Sequence, residues 1–182
     1  MSENTQMHLI LRILKSPTPA IIALALLTAA CNVRPVYGPG SGSGVEQVSD
    51  EMAAIAIDPA KDRISQELRN RLIFNFNLGR SIAEKKYQMS YTLKQSDDAI
   101  AIEARSGAPA SYRLTAIVKF RILDPVANTT LTAGTVRASA SYDRSSQSFA
   151  NIRARRDAEN RAAKSAADEI TARISTYFAT QR

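Results

Sequence analysis

The sequence predicts an α+β fold: two helices packed on one face of a four-stranded, largely antiparallel sheet, in the order β-α-β-β-β-α. Three observations predict it. Ile64, Leu68, Leu72 and Phe76 recur every four residues and draw one apolar stripe along a helix. Tyr112 to Leu123 and Thr129 to Tyr142 alternate apolar and polar side chains about the turn cluster Asp124-Pro125-Val126-Ala127-Asn128, which makes a long antiparallel hairpin. Gln147 to Ala179 is Ala-rich and charged, holds no Gly or Pro, and predicts one long closing helix.

The chain begins with a different composition. Arg12 and Lys15 flank an apolar run, Ala20 to Leu27, and Thr28-Ala29-Ala30 closes it with small residues. A helix that spans a bilayer needs about 20 apolar residues. This run is too short, and its order is that of a secretory signal, with Met1 and Met7 both available as starts. The single cysteine, Cys31, follows directly. LLTAAC resembles the lipobox at which bacterial lipoproteins are acylated on Cys and cleaved before it; Thr28 stands where Leu is usual. A lone thiol in an exported chain calls for such an explanation. Asn32, in place of an Asp that would signal inner-membrane retention, points to the outer membrane.

The expected organisation is therefore a signal peptide over 1–30, a lipidated Cys with a flexible tether over 31–47, and one α+β domain over 48–182. The tether carries Gly38-Pro39-Gly40-Ser41-Gly42-Ser43-Gly44 and would average an end-to-end reach of about 25 Å. Acyl chains contribute about 0.8 kcal/mol per buried CH₂, so several on one residue anchor the chain without spanning the membrane. Removing residues 1–30 leaves a net charge of about +6. An exported basic protein does not meet cytoplasmic nucleic acid; its anionic partners are phosphorylated lipid headgroups, acidic glycans or acidic proteins.

Within the domain, Glu51 to Ile57 reads as a first short strand. Asp58-Pro59 is the expected start of the first helix and Gly79 its stop. Tyr87, Met89, Tyr91 and Leu93 alternate with Gln88, Ser90, Thr92 and Lys94 in a half-buried strand. Asp97-Asp98 is expected to turn the chain, with Ala99 to Ala104 extending the pairing. In the closing helix Ile152, Ala163, Ala167, Ile170, Ile174 and Phe178 share a face, interrupted by Arg156 and Glu159. Two readings of that interruption stand: a salt-linked pair near the helix surface, or a part of the helix that leaves the core to touch a partner.

The chemistry of catalysis is thin. The only histidine, His8, falls in the segment expected to be removed, and Cys31 would be acylated. Ser-His-Asp and Cys-His catalysis and His/Cys zinc sites need residues the mature domain would lack. No glycine-rich phosphate loop is present and no cofactor is expected. Asp97-Asp98 and Asp168-Glu169 read as a turn and a solvated helix face before they read as a carboxylate pair. Tyr112, Tyr142 and Tyr177 read as core or sheet-edge residues.

Several segments now coincide: a lipobox followed by RPVYG (34–38), the hairpin YRLTAIVKFRILDP (112–125) with a return strand ending SYDRSSQSFA (141–150), and the helix RRDAENRAAKSAADEITARISTYF (155–178). Together they resemble the LPS-assembly lipoproteins of the LptE family in its alphaproteobacterial form, over nearly the whole chain. The resemblance implies two helices on a four-stranded sheet, no catalysis, and a periplasm-facing lipoprotein at the outer membrane. It also implies a plug role inside the LptD β-barrel translocon, which it helps assemble, and binding of lipopolysaccharide during delivery to the outer leaflet. Arg113, Lys119 and Arg121 alternate on one strand and Arg137 lies on its expected partner, so they form either a basic ladder opposite the helices or an ordinary solvated face. With Arg105 they are the candidate contacts to lipopolysaccharide phosphates and carboxylates, which Arg binds bidentately and Lys as a point charge. An auxiliary lipoprotein of another envelope lipid transporter fits the same tether and domain, and an envelope glycan-processing enzyme is the other rival.

Overall fold

The computed structural model describes residues 43–78, 84–102 and 109–180. Three helices and four strands follow in the order α1 (Ser43–Ala53), β1 (Ile55–Ile57), α2 (Arg63–Asn77), β2 (Tyr87–Ile102), β3 (Pro109–Asp124), β4 (Thr129–Asp143) and α3 (Ser148–Thr180). The α+β class and the four-stranded sheet are as the sequence predicts. The sheet is mixed where a largely antiparallel one was expected: in the spatial order β1-β2-β3-β4, β1 runs parallel to β2 and the other pairs are antiparallel.

The expected first strand, Glu51 to Ile57, is divided: Glu51 to Ala53 close helix α1, Ala54 turns, and strand begins only at Ile55. Val48 and Met52 are four residues apart and both buried, so the segment presents a helical face, and only Ile55–Ile57 pair with β2. Helix α1 also takes Ser43 to Gln47 from the stretch expected to be tether. Cys31 and the rest of that tether lie outside the described residues, as do Gly79 and Arg105.

Helix α2 starts four residues later than expected. Asp58 is engaged by the sheet: its N–H donates to the Met89 carbonyl and its carboxylate accepts from Gln88. Asp62 caps the helix instead, accepting from the Ser65 N–H at 2.8 Å. The stripe holds without exception, for Ile64, Leu68, Leu72 and Phe76 are all buried. At the other end Leu78 adopts a left-handed conformation (φ 47°) and its N–H closes on the Phe74 carbonyl.

The Asp97-Asp98 turn is a further correction. β2 runs on through both residues, with Asp97 opposite Leu114 and Asp98 opposite Arg113 on β3. The hairpin of β3 and β4 forms as predicted, with Tyr112, Leu114, Ala116, Val118 and Phe120 facing Tyr142, Ala140, Ala138, Val136 and Gly134. At the last of these pairs the Phe120 ring lies over Gly134, where a Cβ would stand 3.0 Å from its edge.

The core lies between this inner sheet face and the helices. Helix α3 contributes Ala158, Ala162, Ala163, Ala166, Ala167, Ile170 and Ile174, all fully buried. Small residues on both sides, including Ala116, Ala138 and Ala140 of the sheet, let the helix lie close to the strands. Two α3 arginines reach the outer strand. Arg161 donates to the Ser141 carbonyl (2.8 Å) and Arg173 to the Thr135 carbonyl (3.2 Å), each held from behind by a carboxylate one turn earlier, Asp157 and Glu169. Ile152, expected on the core face, is exposed, as is Phe149, because the first turns of α3 carry no buried side chain before Ala158.

Candidate functional site

Alternation fixes what the outer sheet face displays. Along β3 the even-numbered residues Leu114 to Ile122 are buried, so Arg113, Thr115, Ile117, Lys119 and Arg121 face away from the helices. Register then sets the neighbours. One row reads Ser90–Arg121–Ala133, the next Thr92–Lys119–Thr135, the third Lys94–Ile117–Arg137, and further along come Ser96–Thr115–Ser139 and Asp98–Arg113–Ser141.

Lys119, Arg121 and Arg137 are therefore brought together, and Lys94 joins them from β2. Residues two apart on a strand are separated by about 6.7 Å and adjacent strands by about 4.8 Å, so Lys119 has Arg121, Arg137 and Lys94 as its nearest charged neighbours. All four are exposed, and none enters an ion pair among the described residues. The first three rows carry four cations and no carboxylate. Arg113 is set apart: it lies six residues along β3 from Lys119, and its cross-strand neighbour Asp98 offsets its charge. The sequence reading missed Lys94, although its place on the polar side of the β2 alternation was the available signal.

A second polar constellation sits on the inner side, at the end where α2 begins. The Glu159 carboxylate, 7% exposed, accepts from Arg63 of α2 and from Arg155 of its own helix at 3.0 Å. Arg155 also clamps one oxygen of Asp97 with two N–H groups at 3.1 and 2.9 Å, and the Tyr142 hydroxyl donates to the other oxygen at 3.1 Å. The hydrogen bond to Asp97 raises the Arg155 pKa. Burial, and then the same carboxylate, raises that of Tyr142. The interruption seen in the α3 stripe is thus a salt link, but its cations are Arg155 and Arg63 of α2 where Arg156 was expected. Arg156 lines a cleft of about 440 Å³ with Asp62, Arg63, Gln95, Ile152, Arg155 and Glu159. A third link joins the helices, where Asp168 accepts from Arg71 (3.1 Å) and Asn75 (2.9 Å).

No group of three or more His, Cys, Asp or Glu side chains is placed to hold a metal among the described residues. No described helix is long and apolar enough to cross a membrane.

A search of curated proteins finds no match. Solved structures share the fold. A protein from Caulobacter crescentus CB15 described as a candidate lipoprotein superposes with a TM-score of 0.62 at 22% identity, over 75% of this chain and 98% of its own. The rare lipoprotein B from Shewanella oneidensis gives 0.50 at 14% identity, over 67% and 92%. The uncharacterized lipoprotein B from Nitrosomonas europaea gives 0.50 at 16% identity, over 69% and 83%. The family model described as LptE, Lipopolysaccharide-assembly, matches residues 52–174, from the end of α1 to the last turns of α3. That span holds the whole sheet, α2 and most of α3, and the chain belongs to the LptE lipopolysaccharide-assembly family, whose members serve as assembly factors in lipopolysaccharide transport.

Proposed function

We propose that this chain is an outer-membrane lipoprotein, acylated on Cys31 and facing the periplasm, that plugs and helps assemble an LptD-type β-barrel translocon and contacts lipopolysaccharide on its way to the outer leaflet. Family membership supports the transport role. The observation that carries the contact is the cluster of Lys94, Lys119, Arg121 and Arg137 on the outer sheet face, four cations with no carboxylate in their rows. Phosphates on a lipid headgroup engage such a cluster bidentately through Arg and as point charges through Lys. Arg113 belongs to the proposed contact set at its periphery, and Arg105, outside the described residues, is proposed with it. The protein acts by holding and orienting, without chemistry of its own.

Two measurements test this. A mild-detergent pull-down of the tagged full-length chain from its native membrane should bring down a stoichiometric large β-barrel protein, and depletion of the chain should remove that barrel from the membrane. Elution with inner-membrane transporter subunits in its place would favour the alternative, an auxiliary lipoprotein of another envelope lipid transporter. Neutralising Arg113, Lys119, Arg121 and Arg137 together should weaken lipopolysaccharide binding and flatten its salt dependence. Unchanged binding would overturn the contact assignment and leave the barrel role standing.

A further inference from the structure

Gln95 belongs to two surfaces at once: it lines the cleft of about 440 Å³ between the start of α2 and the first turns of α3, and it lies on strand β2. The acids around this cleft are all engaged. Asp62 caps α2, Glu159 holds Arg63 and Arg155, and Asp97 is held by Arg155 and Tyr142. Arg156 differs: it is exposed, and its guanidinium enters no hydrogen bond or ion pair among the described residues. Lys61, equally without an ion pair, lines an adjoining cleft of about 550 Å³ that shares Asp62 and Arg63. From Ser148 to Arg156 the helix carries three arginines and no carboxylate. Apolar surface lies alongside, since Ile152 is half exposed on the cleft wall and Phe149 is exposed in the turn before it.

The main chain beside the cleft is unsatisfied as well. An edge strand presents a row of unpaired main-chain groups, and folded proteins cover or blunt such rows. On β4 the carbonyls of Ser141 and Thr135 are taken by Arg161 and Arg173. On the other side β1 covers β2 only from Tyr87 to Met89, because β1 is three residues long. The Met89 carbonyl accepts from the Asp58 N–H next to β1, so odd-numbered β2 residues turn their main-chain groups to this side. The ladder with β3 is regular up to Ala99, so Leu93, Gln95 and Asp97 present theirs to the same side. No hydrogen bond among the described residues reaches them there.

A strand laid along this edge would send every second side chain to the helix side, because the residue opposite Gln95 faces the way Gln95 does. Those side chains enter the cleft, where an uncommitted guanidinium and a half-exposed isoleucine complement a carboxylate and an apolar group. A phosphorylated headgroup fits less well: it has no main chain to satisfy the edge, and Asp62 and Glu159 flank the cation. We propose that an extended, acidic segment of the barrel partner adds to the open edge of β2 across Leu93 to Asp97, with one carboxylate seated on Arg156. The inference rests on the plug reading and names a contact by which the barrel would hold a single copy of this chain. Main-chain bonds supply the attachment, and Arg156 selects for an acid.

The test is a photo-cross-link from the cleft wall. The tagged full-length chain carrying Ile152→p-benzoylphenylalanine is irradiated in its native membrane and purified, and the cross-linked peptide is sequenced. The expected product joins this position to a stretch of the barrel that carries Asp or Glu. Adding Arg156→Glu should cut the cross-link, per copy of co-purified barrel, about tenfold, and Arg156→Lys should restore most of it. Gln95→Pro should act through the main chain. Its N–H faces the open edge, so proline leaves the ladder with β3 intact and removes a donor that an added strand needs. Both variants are compared at native helix ellipticity. A yield that either Arg156→Glu or Gln95→Pro leaves unchanged would overturn the proposal, as would a cross-link to a segment without carboxylates or to lipopolysaccharide. Elution of the wild type without a barrel would instead overturn the plug reading beneath it.

Discussion

Glu159→Ala isolates the contribution of the inner salt link. The carboxylate is 7% exposed and holds two guanidiniums that are themselves 39% and 43% exposed. Breaking a fully buried pair costs about 3–5 kcal/mol because the remaining charge is stranded. Here neither arginine is stranded. Arg155 keeps both bonds to Asp97, and Arg63 keeps Asn160 and the Arg156 carbonyl. Both can also draw water through their exposed faces, so the cost falls to about 2 kcal/mol. Urea unfolding followed by helix ellipticity reads that loss as a lower midpoint with an unchanged slope. A double-mutant cycle with Arg63→Ala should return a coupling of about 1 kcal/mol, since the two residues join different helices. Salt sharpens the test. The exposed pairs Arg161–Asp157 and Arg173–Glu169 are screened at high ionic strength, whereas the Glu159 deficit should persist in 1 M salt, about where the Debye length shrinks to 3 Å. A loss under about 0.5 kcal/mol together with no coupling would refute the argument that this carboxylate ties α2 to α3.

Three further outcomes follow from local geometry. Gly134→Val should destabilise by about 1–3 kcal/mol in thermal unfolding, because even a Cβ would come 3.0 Å from the Phe120 ring, and Phe120→Leu should relieve part of the deficit. Leu78→Gly should stabilise by about 0.5–1 kcal/mol, since Leu78 caps α2 at φ 47° and is half exposed, so little packing is lost. The phenol of Tyr87, pushed up to about 12 chiefly by its hydrogen bond to Glu51, should be among the last to ionise in an ultraviolet titration. Its folded pKa lies above the unfolded value near 10, so its contribution to stability is complete below pH 10 and lost as pH climbs to 12; Tyr87→Phe should remove that part of the alkaline decline.

How far the sequence carries depends on the range of the interaction that decides each element. The α2 stripe and the β3–β4 hairpin are settled within a dozen residues by periodicity, and both appear with the expected residues inside. Asp97-Asp98 is not settled locally. Carboxylates are rare in strands, and Asp97 is held there by Tyr142 and Arg155, partners 45 and 58 residues away. The short apolar run Met52 to Ile57 is ambiguous for the opposite reason: it suits either a buried helix end or a strand, and the chain uses it for both. Arg155 meets Glu159 within α3 at i,i+4 spacing, whereas the reach of Arg63 from α2 depends on how the two helices pack and is not written in either segment alone. The basic cluster is half legible, since alternation places each cation, Lys94 included, on a face, but only register brings Lys94 beside Lys119 and sets Arg113 apart.

The arginine contacts between α3 and β4 also set a length. Arg161 and Arg173 are twelve residues apart on a helix, a rise of about 18 Å, while Ser141 and Thr135 are six apart on a strand running the other way, about 20 Å. The two spacings agree closely enough for both arginines to reach carbonyls of the same strand. One residue inserted between them would swing the second arginine about 100° around the helix axis and off the strand. The stretch from Arg161 to Arg173 therefore cannot change length, whereas the first turns of α3 carry no such match and leave room for insertions and deletions.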